Sequence, residues 1–498
     1  MFPINGRGQD VLPHPELFVD VPQTWHLRFE GVTSTLRRKR SSIYDSQLRA
    51  DGGNLDTSWI VTKLLVISCC IVCSNQAFAS GYGVFTQGAS ALGQANAVVA
   101  HATGPSSLYF NPALLNDVPG RQIEIGTTVI IADRYVDYTD GGSADSDDSW
   151  NFPSTFYYTH QINESLTAGI GVFFPFGLST GWSDDYEGRY LGTAGDITTT
   201  NINPVLSYRV NNRLSLALGL DALYLDATLE KNINQTAAYI LTDLQLSGGV
   251  GGALPALQAP LPDISQKFVG DGWGYGYNLG LLYKANDQIN LGATYRSHVD
   301  VDVKGSALFS GVDPILSSAF SDTGGHSRIR LPEQMTAAVA YKGVPDLIVE
   351  TGVRWENWES TEDLVVDLDQ PVFGQSSDIV PRDWKATWSY NLGVHYTLND
   401  NVALNAGYLY GENAVPGDTF EPLVPDTDAH LFTFGVDYTT GNWVVSGAFG
   451  YEYHEDREKS NSLGDPLGSV LAGQPVYTAN GNYESEIFLA AFSLGFHF

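Results

Sequence analysis

The chain is expected to be all-β, a 14-stranded antiparallel transmembrane β-barrel with an N-terminal segment lodged in its lumen. Three observations lead there. Beyond Gly120, apolar and polar residues alternate at period two in segments bounded by turn residues, the pattern of half-buried strands. The connections between segments alternate strictly between tight and long, as in a barrel whose turns face one compartment and whose loops face the other. The last strand carries Phe488, Ala490, Phe492, Leu494, Phe496 and Phe498 on one face, with Ala491, Ser493, Gly495 and His497 alternating with them.

Composition agrees. Of 498 residues only 16% are charged, 12% are aromatic and 52 are Gly, which suits strands, turns and interfacial aromatic girdles. A net charge of −30 argues against nucleic acid, whose phosphates need Lys and Arg. After residue 80 no apolar run approaches the roughly 20 residues of a spanning helix, so a membrane role must fall to strands.

Residues 1–60 include the basic run Arg37–Arg40 and show no periodicity. We read them as an upstream segment that is not translated, with synthesis starting near Val61; peptides from 1–60 in mass spectra of the cellular protein would refute this. Residues 61–79 read as a signal peptide: Lys63, the apolar core Leu64–Cys73, then Ala77-Phe78-Ala79 as an Ala-x-Ala cleavage site. Cys69, Cys70 and Cys73 are the only cysteines, so the exported chain needs no disulfides. Starting at Ser80, it carries 18 basic and 49 acidic side chains.

Residues 80–120 are rich in small residues, weakly helical around 89–101, and end in Asn111-Pro112-Ala113 before Gly120. They read as a plug. The barrel is expected over 121–498, with strands near 122–138, 152–162, 166–180, 196–210, 213–230, 273–284, 289–304, 328–342, 346–365, 383–397, 402–411, 429–438, 443–454 and 484–498. Tight turns fall at Asn163-Glu164, Asn211-Asn212, Asn286-Asp287, Gly343–Pro345, Asn399-Asp400 and Gly441-Asn442. Long external loops are expected at 139–151, 181–195, 231–272, 305–327, 366–382, 412–428 and 455–483. In the third strand, Pro175 cannot donate to a ladder and Gly177 tolerates irregular backbone, so a break in pairing is expected around Pro175-Phe176-Gly177.

Taken together, the 80–120 stretch with its Asn-Pro-Ala, the Pro175–Tyr190 stretch, Trp273–Gly280, Tyr295-Arg296-Ser297 and Leu331-Pro332-Glu333 resemble, in order and spacing, the FadL family of outer-membrane channels for long-chain fatty acids and aromatic hydrocarbons. The resemblance covers essentially all of 80–498. It implies a luminal hatch ending at Asn111, Pro112 and Ala113, and a lateral opening at Pro175, Phe176 and Gly177. It also implies external loops that capture substrate, here Leu244 and Leu246 on one and Leu308, Phe309 and Phe320 on the other. Lys231, Arg382 and Lys385 align with basic ligand-contacting positions of the fatty-acid members. The terminal Phe498 resembles the signal read by the barrel assembly machinery.

The expected function is passive uptake of a hydrophobic molecule across the outer membrane of a Gram-negative bacterium. Long-chain fatty acid is the first substrate and aromatic hydrocarbon the alternative. The expected protein is a monomer among outer-membrane lipid and lipopolysaccharide, without cofactor or metal. An outer-membrane lipolytic enzyme is the main competitor from another class, but Ser297-His298 and His326-Ser327 are adjacent, which sends each pair to opposite faces. A structural or adhesin barrel would leave the plug unexplained. The acidic run Asp145–Asp148 matches no calcium loop and reads as solvated loop charge.

Overall fold

The computed structural model describes residues 81–498 apart from Asp148, Glu362 and 472–475. The upstream segment 1–60, the signal 61–79 and Ser80 lie outside the described residues. Fourteen crossings, called staves here, form one antiparallel cylinder. The first, Arg121–Tyr138, closes on the last, Gly481–His497, through a ladder running from Gln122↔His497 to Tyr138↔Gly481. The alternation expected from sequence sorts the faces. Trp273, Tyr275, Tyr277 and Leu279 of the sixth stave, Ile264–Lys284, are exposed outward, and Phe488 and Phe492 of the last stave likewise. Among the described residues no helix is long and apolar enough to cross a membrane.

The third stave breaks where proline and glycine predicted, running Leu166–Phe173 and resuming at Gly177–Gly181. Others are interrupted where the sequence suggested continuous strands: the seventh runs Ile289–Arg296 and Val299–Ser310. The eighth comprises Thr323–Leu331 and Gln334–Val344, parted at Pro332, which has no N–H to give the ladder. The ninth and tenth (Leu347–Glu356 with Leu364–Val372, and Gln375–Val380 with Thr387–Thr397) dip inward midway. These dips carry Trp358 and Trp384 into the interior, 0% and 3% exposed.

Two of the loops expected outside are corrected. Residues 366–382 are mostly strand, joined by a tight turn at Phe373-Gly374 where Phe373 takes a φ of 46°. Residues 412–428 are folded into the barrel: Ala414, Val415, Phe420, Leu423 and Val424 are buried, and only Gly417 and Asp418 are exposed. The apolar side chains of that loop find more burial in the lumen than outside, where the hydrophobic effect would oppose their exposure.

Residues 81–120 occupy the lumen. Two short helical turns, Ala89–Leu92 and Ser107–Phe110, lead into a 3-10 helix at Pro112–Asp117. Asn111 caps that helix by accepting from Ala113 N at 3.1 Å, and its Nδ2 donates to Val99 O (2.8 Å) and to Leu281 O on the sixth stave (3.0 Å). Asn111-Pro112-Ala113 is thus a fastening of plug to wall. A second fastening is Glu350, fully buried on the ninth stave, which accepts from the backbone of Val99 and Ala100 and pairs with His101 Nδ1 at 2.7 Å. The plug turn at Gln94-Ala95 lies so close to the eleventh stave, Val402–Gly411, that a Cβ at Gly407 would collide with the Gln94 carbonyl carbon.

Candidate functional site

Breaking a strand in a membrane wall leaves backbone donors and acceptors without partners, each costly unless satisfied. The third stave pairs with the fourth, Ala194–Arg209, through Phe173↔Asn201 and again through Gly177↔Thr198, a slip of one residue across Phe174-Pro175-Phe176. The plug supplies the missing ladder. Val84 N donates to Pro175 O and Gly177 N to Tyr82 O, each at 2.9 Å. The Gln87 side chain takes both backbone groups of Phe174, donating to its O at 2.7 Å and accepting from its N at 3.4 Å. The Thr199 hydroxyl accepts from Phe176 N and donates to Phe176 O. Every backbone group of the break except the ring nitrogen of proline is therefore bonded, and several of those bonds go to a segment that is not part of the wall.

The second stave begins only at Ser154, so the upper part of the third has no full strand on that side. A cavity of about 330 Å³ lies there, lined by Ile130, Phe152, Phe174, Phe176, Leu178 and the plug's Tyr82–Thr86, among others. It is mostly apolar and of the size of small-molecule sites. Beside it the plug's Tyr82 packs edge-on against Phe176 (6.3 Å), Trp358 (4.8 Å) and Trp384 (5.7 Å), so the two inward dips meet the broken stave through one plug residue. Gly177 faces Val84, whose Cγ2 would lie 3.3 Å from an added Cβ.

Higher in the barrel is a second, smaller cavity of about 50 Å³ with apolar walls from Leu229, Phe268, Val366, Leu368 and Leu423. Two of the cations singled out from the sequence, Lys231 and Arg382, meet here; neither is left alone. Lys231 pairs with Asp378 at 2.7 Å and Arg382 with Glu421 at 2.8 Å. Arg382 also stacks on Trp384, which suits the planar guanidinium. Lys385 is not brought to the cavity: its side chain is exposed and its N–H binds Ala414 O. The acidic partners escaped sequence reading because Glu421 is 39 residues from Arg382 and Asp378 is 147 from Lys231.

Above lies a roof of external loops. The helix Gln235–Leu246 is capped by Asn234, and Asp243 accepts from Gly252 N and Leu254 N, bonds that hold its carboxyl below the usual range. Phe320 stacks on Phe373 at 5.2 Å and meets Phe309 at a tilt, 6.0 Å away, with Tyr239, Leu316 and Val372 buried around them. Leu244 is half-buried at the margin, Leu246 is exposed, and Leu308 points outward because it alternates with inward Ala307. Of the loop residues singled out, Phe309 and Phe320 come together. Among the described residues no group of acidic, His or Cys side chains could hold a metal ion.

Comparison with known proteins places this geometry. Residues 70–496 match the family described as outer membrane protein transport protein (OMPP1/FadL/TodX). The chain is 24% identical to the long-chain fatty acid transport protein of Escherichia coli O6:H1 over 76% of this chain and 88% of that one. To outer membrane protein P1 of Haemophilus influenzae it is also 24% identical, over 84% and 96%. Among solved structures, a Pseudomonas aeruginosa FadL homologue aligns with a TM-score of 0.72 at 18% identity, covering 84% of this chain and all of that one. The P. putida toluene transporter TodX gives 0.62 at 20% identity, covering 84% and 99%.

Proposed function

The chain belongs to the outer membrane protein transport family (OMPP1/FadL/TodX) and is an outer-membrane transporter of hydrophobic substrates; from that premise we propose passive uptake of long-chain fatty acids. The roof of external loops takes the molecule from outside, the upper cavity receives its carboxylate, and a shift of the plug hands it to the cavity at the broken third stave. From there it leaves sideways into the bilayer. The observation that carries the fatty-acid reading is Arg382, a buried guanidinium at an apolar-walled cavity, since a carboxylate on an alkyl chain complements both features. The name of the E. coli relative points the same way.

A second reading, uptake of small aromatic hydrocarbons, is favoured by the ring cluster of Tyr82, Phe176, Trp358 and Trp384 beside the lower cavity. The test is uptake of labelled oleate and labelled toluene by a deletion strain carrying the intact gene or Gly177→Glu. Oleate uptake restored by the gene and abolished by the substitution is the expected result. Restoration of toluene alone would move the assignment to hydrocarbons, and restoration of neither would overturn both.

A further inference from the structure

The loop 412–428 separates the two cavities. Glu421 and Leu423 line the upper one, and Val424, Pro425 and Asp426 line the lower one. Its fastenings are of two kinds. At the tip, Asn461 Nδ2 donates to Gly417 O and Phe420 O at 2.9 Å, and Arg457 donates to Val415 O at 2.6 Å. Along its inner run, Trp182 Nε1 donates to Pro422 O at 3.1 Å, and Asp426 Oδ2 accepts from Gly81 N at 3.0 Å, tying the loop to the plug. Between these lies the Arg382–Glu421 pair.

We propose that Glu421 stands in for the ligand's carboxylate, and that an anionic amphiphile opens the partition by replacing Glu421 on Arg382. This rests on the fatty-acid reading. The upper cavity, at about 50 Å³, falls well short of the roughly 300 Å³ at the lower end of ligand pockets, so something lining it must move for a chain to enter. Arg382 cannot be left uncompensated in these surroundings, because an unpaired buried charge is strongly destabilising. Exchanging one carboxylate for another keeps the pair and leaves its desolvation nearly unchanged. A neutral hydrocarbon offers no such exchange. Glu421 also has somewhere to go: Lys459 is fully buried, among the described residues its ammonium is held by neutral oxygens of Asn461, Leu463, Thr478 and Asn480, and Glu421 is the acid whose charge it feels. Once Glu421 leaves, Leu423 moves with it, and the two cavities become continuous along the loop's inner run.

The experiment measures binding of oleate and of oleyl alcohol, which share a chain and differ in head group, to the purified barrel in detergent. Wild type is compared with Glu421→Gln and with Glu421→Gln/Arg382→Met, which removes both charges and keeps the fold testable should the single variant be unstable. A dye on Asp418→Cys reports the loop, since no other cysteine lies beyond Cys73. Removing the internal competitor is expected to tighten oleate binding by roughly tenfold, within the usual range of coupling between sites, without changing the alcohol. The double variant is expected to bind both ligands alike, and the dye to respond to oleate only. Unchanged oleate affinity in Glu421→Gln, an equal shift for both ligands, or a dye response to the alcohol would overturn the exchange while leaving fatty-acid binding in place. Wild type that binds neither ligand would overturn the fatty-acid reading itself, and the exchange with it.

Discussion

Glu350 and Asp426 hold the plug by opposite logic. Glu350 satisfies the buried N–H groups of Val99 and Ala100, so Glu350→Ala leaves both donors without a partner, at a cost of about 1–3 kcal/mol each. Looser plug packing is expected, seen as faster hydrogen exchange at 97–101 and a higher leak of small solutes; unchanged exchange would show that water substitutes for the carboxylate. Asp426 is buried with Gly81 on its Oδ2, and burial raises its carboxyl from 3.8 to about 7 against the opposing pull of its backbone hydrogen bonds, His454 and Arg457. A carboxyl raised in the docked state favours docking at low pH. That advantage is full below about pH 4, is lost as pH rises through 7, and is flat beyond. Release of the plug's start, and uptake with it, should therefore rise between about pH 4 and 7. The dependence should flatten in Asp426→Asn, and an equally steep profile in that variant would assign the titration elsewhere.

The break in the third stave is one residue too long for its partner, so removing Pro175 should restore the register with the fourth and let the ladder run through. The expected result is a barrel of unchanged thermal stability whose uptake is lost; retained uptake would mean the lateral route is not used. This break was legible because proline and glycine are written into it. The inward dips of the ninth and tenth staves were not, since Trp358 and Trp384 prolong the alternation of ordinary strands, and an aromatic residue turned inward reads like one turned to lipid. The loop 412–428 left a fainter signal. Ala414, Val415, Phe420, Leu423 and Val424 give it an apolar density like that of the external roof, and only tertiary packing decides which side of the rim such a loop buries itself on. Of the three cations, Lys231 and Arg382 lie on inward positions at the cavity, whereas Lys385 follows the dip's buried Trp384 and turns away.

At the scale of the whole barrel, the passive uptake proposed above requires no fuel, the substrate being expected to move down its own gradient. Vesicles holding only the purified protein should equilibrate labelled oleate at a rate proportional to the outside concentration, and accumulation above that concentration would contradict the passive reading. The closing ladder has a different bearing. Gln122 and His497 pair although they lie 375 positions apart in sequence, so the joint between first and last staves is the most non-local contact the sheet makes, and contacts of this kind form slowly. Until it forms, both flanking staves are open edges that invite pairing with other chains. The plug is meanwhile anchored to staves on many sides, at Leu281, Glu350 and Asn391. Its enclosure is therefore expected to accompany assembly, and a chain whose barrel shuts early is expected to leave the plug outside and the pore hollow.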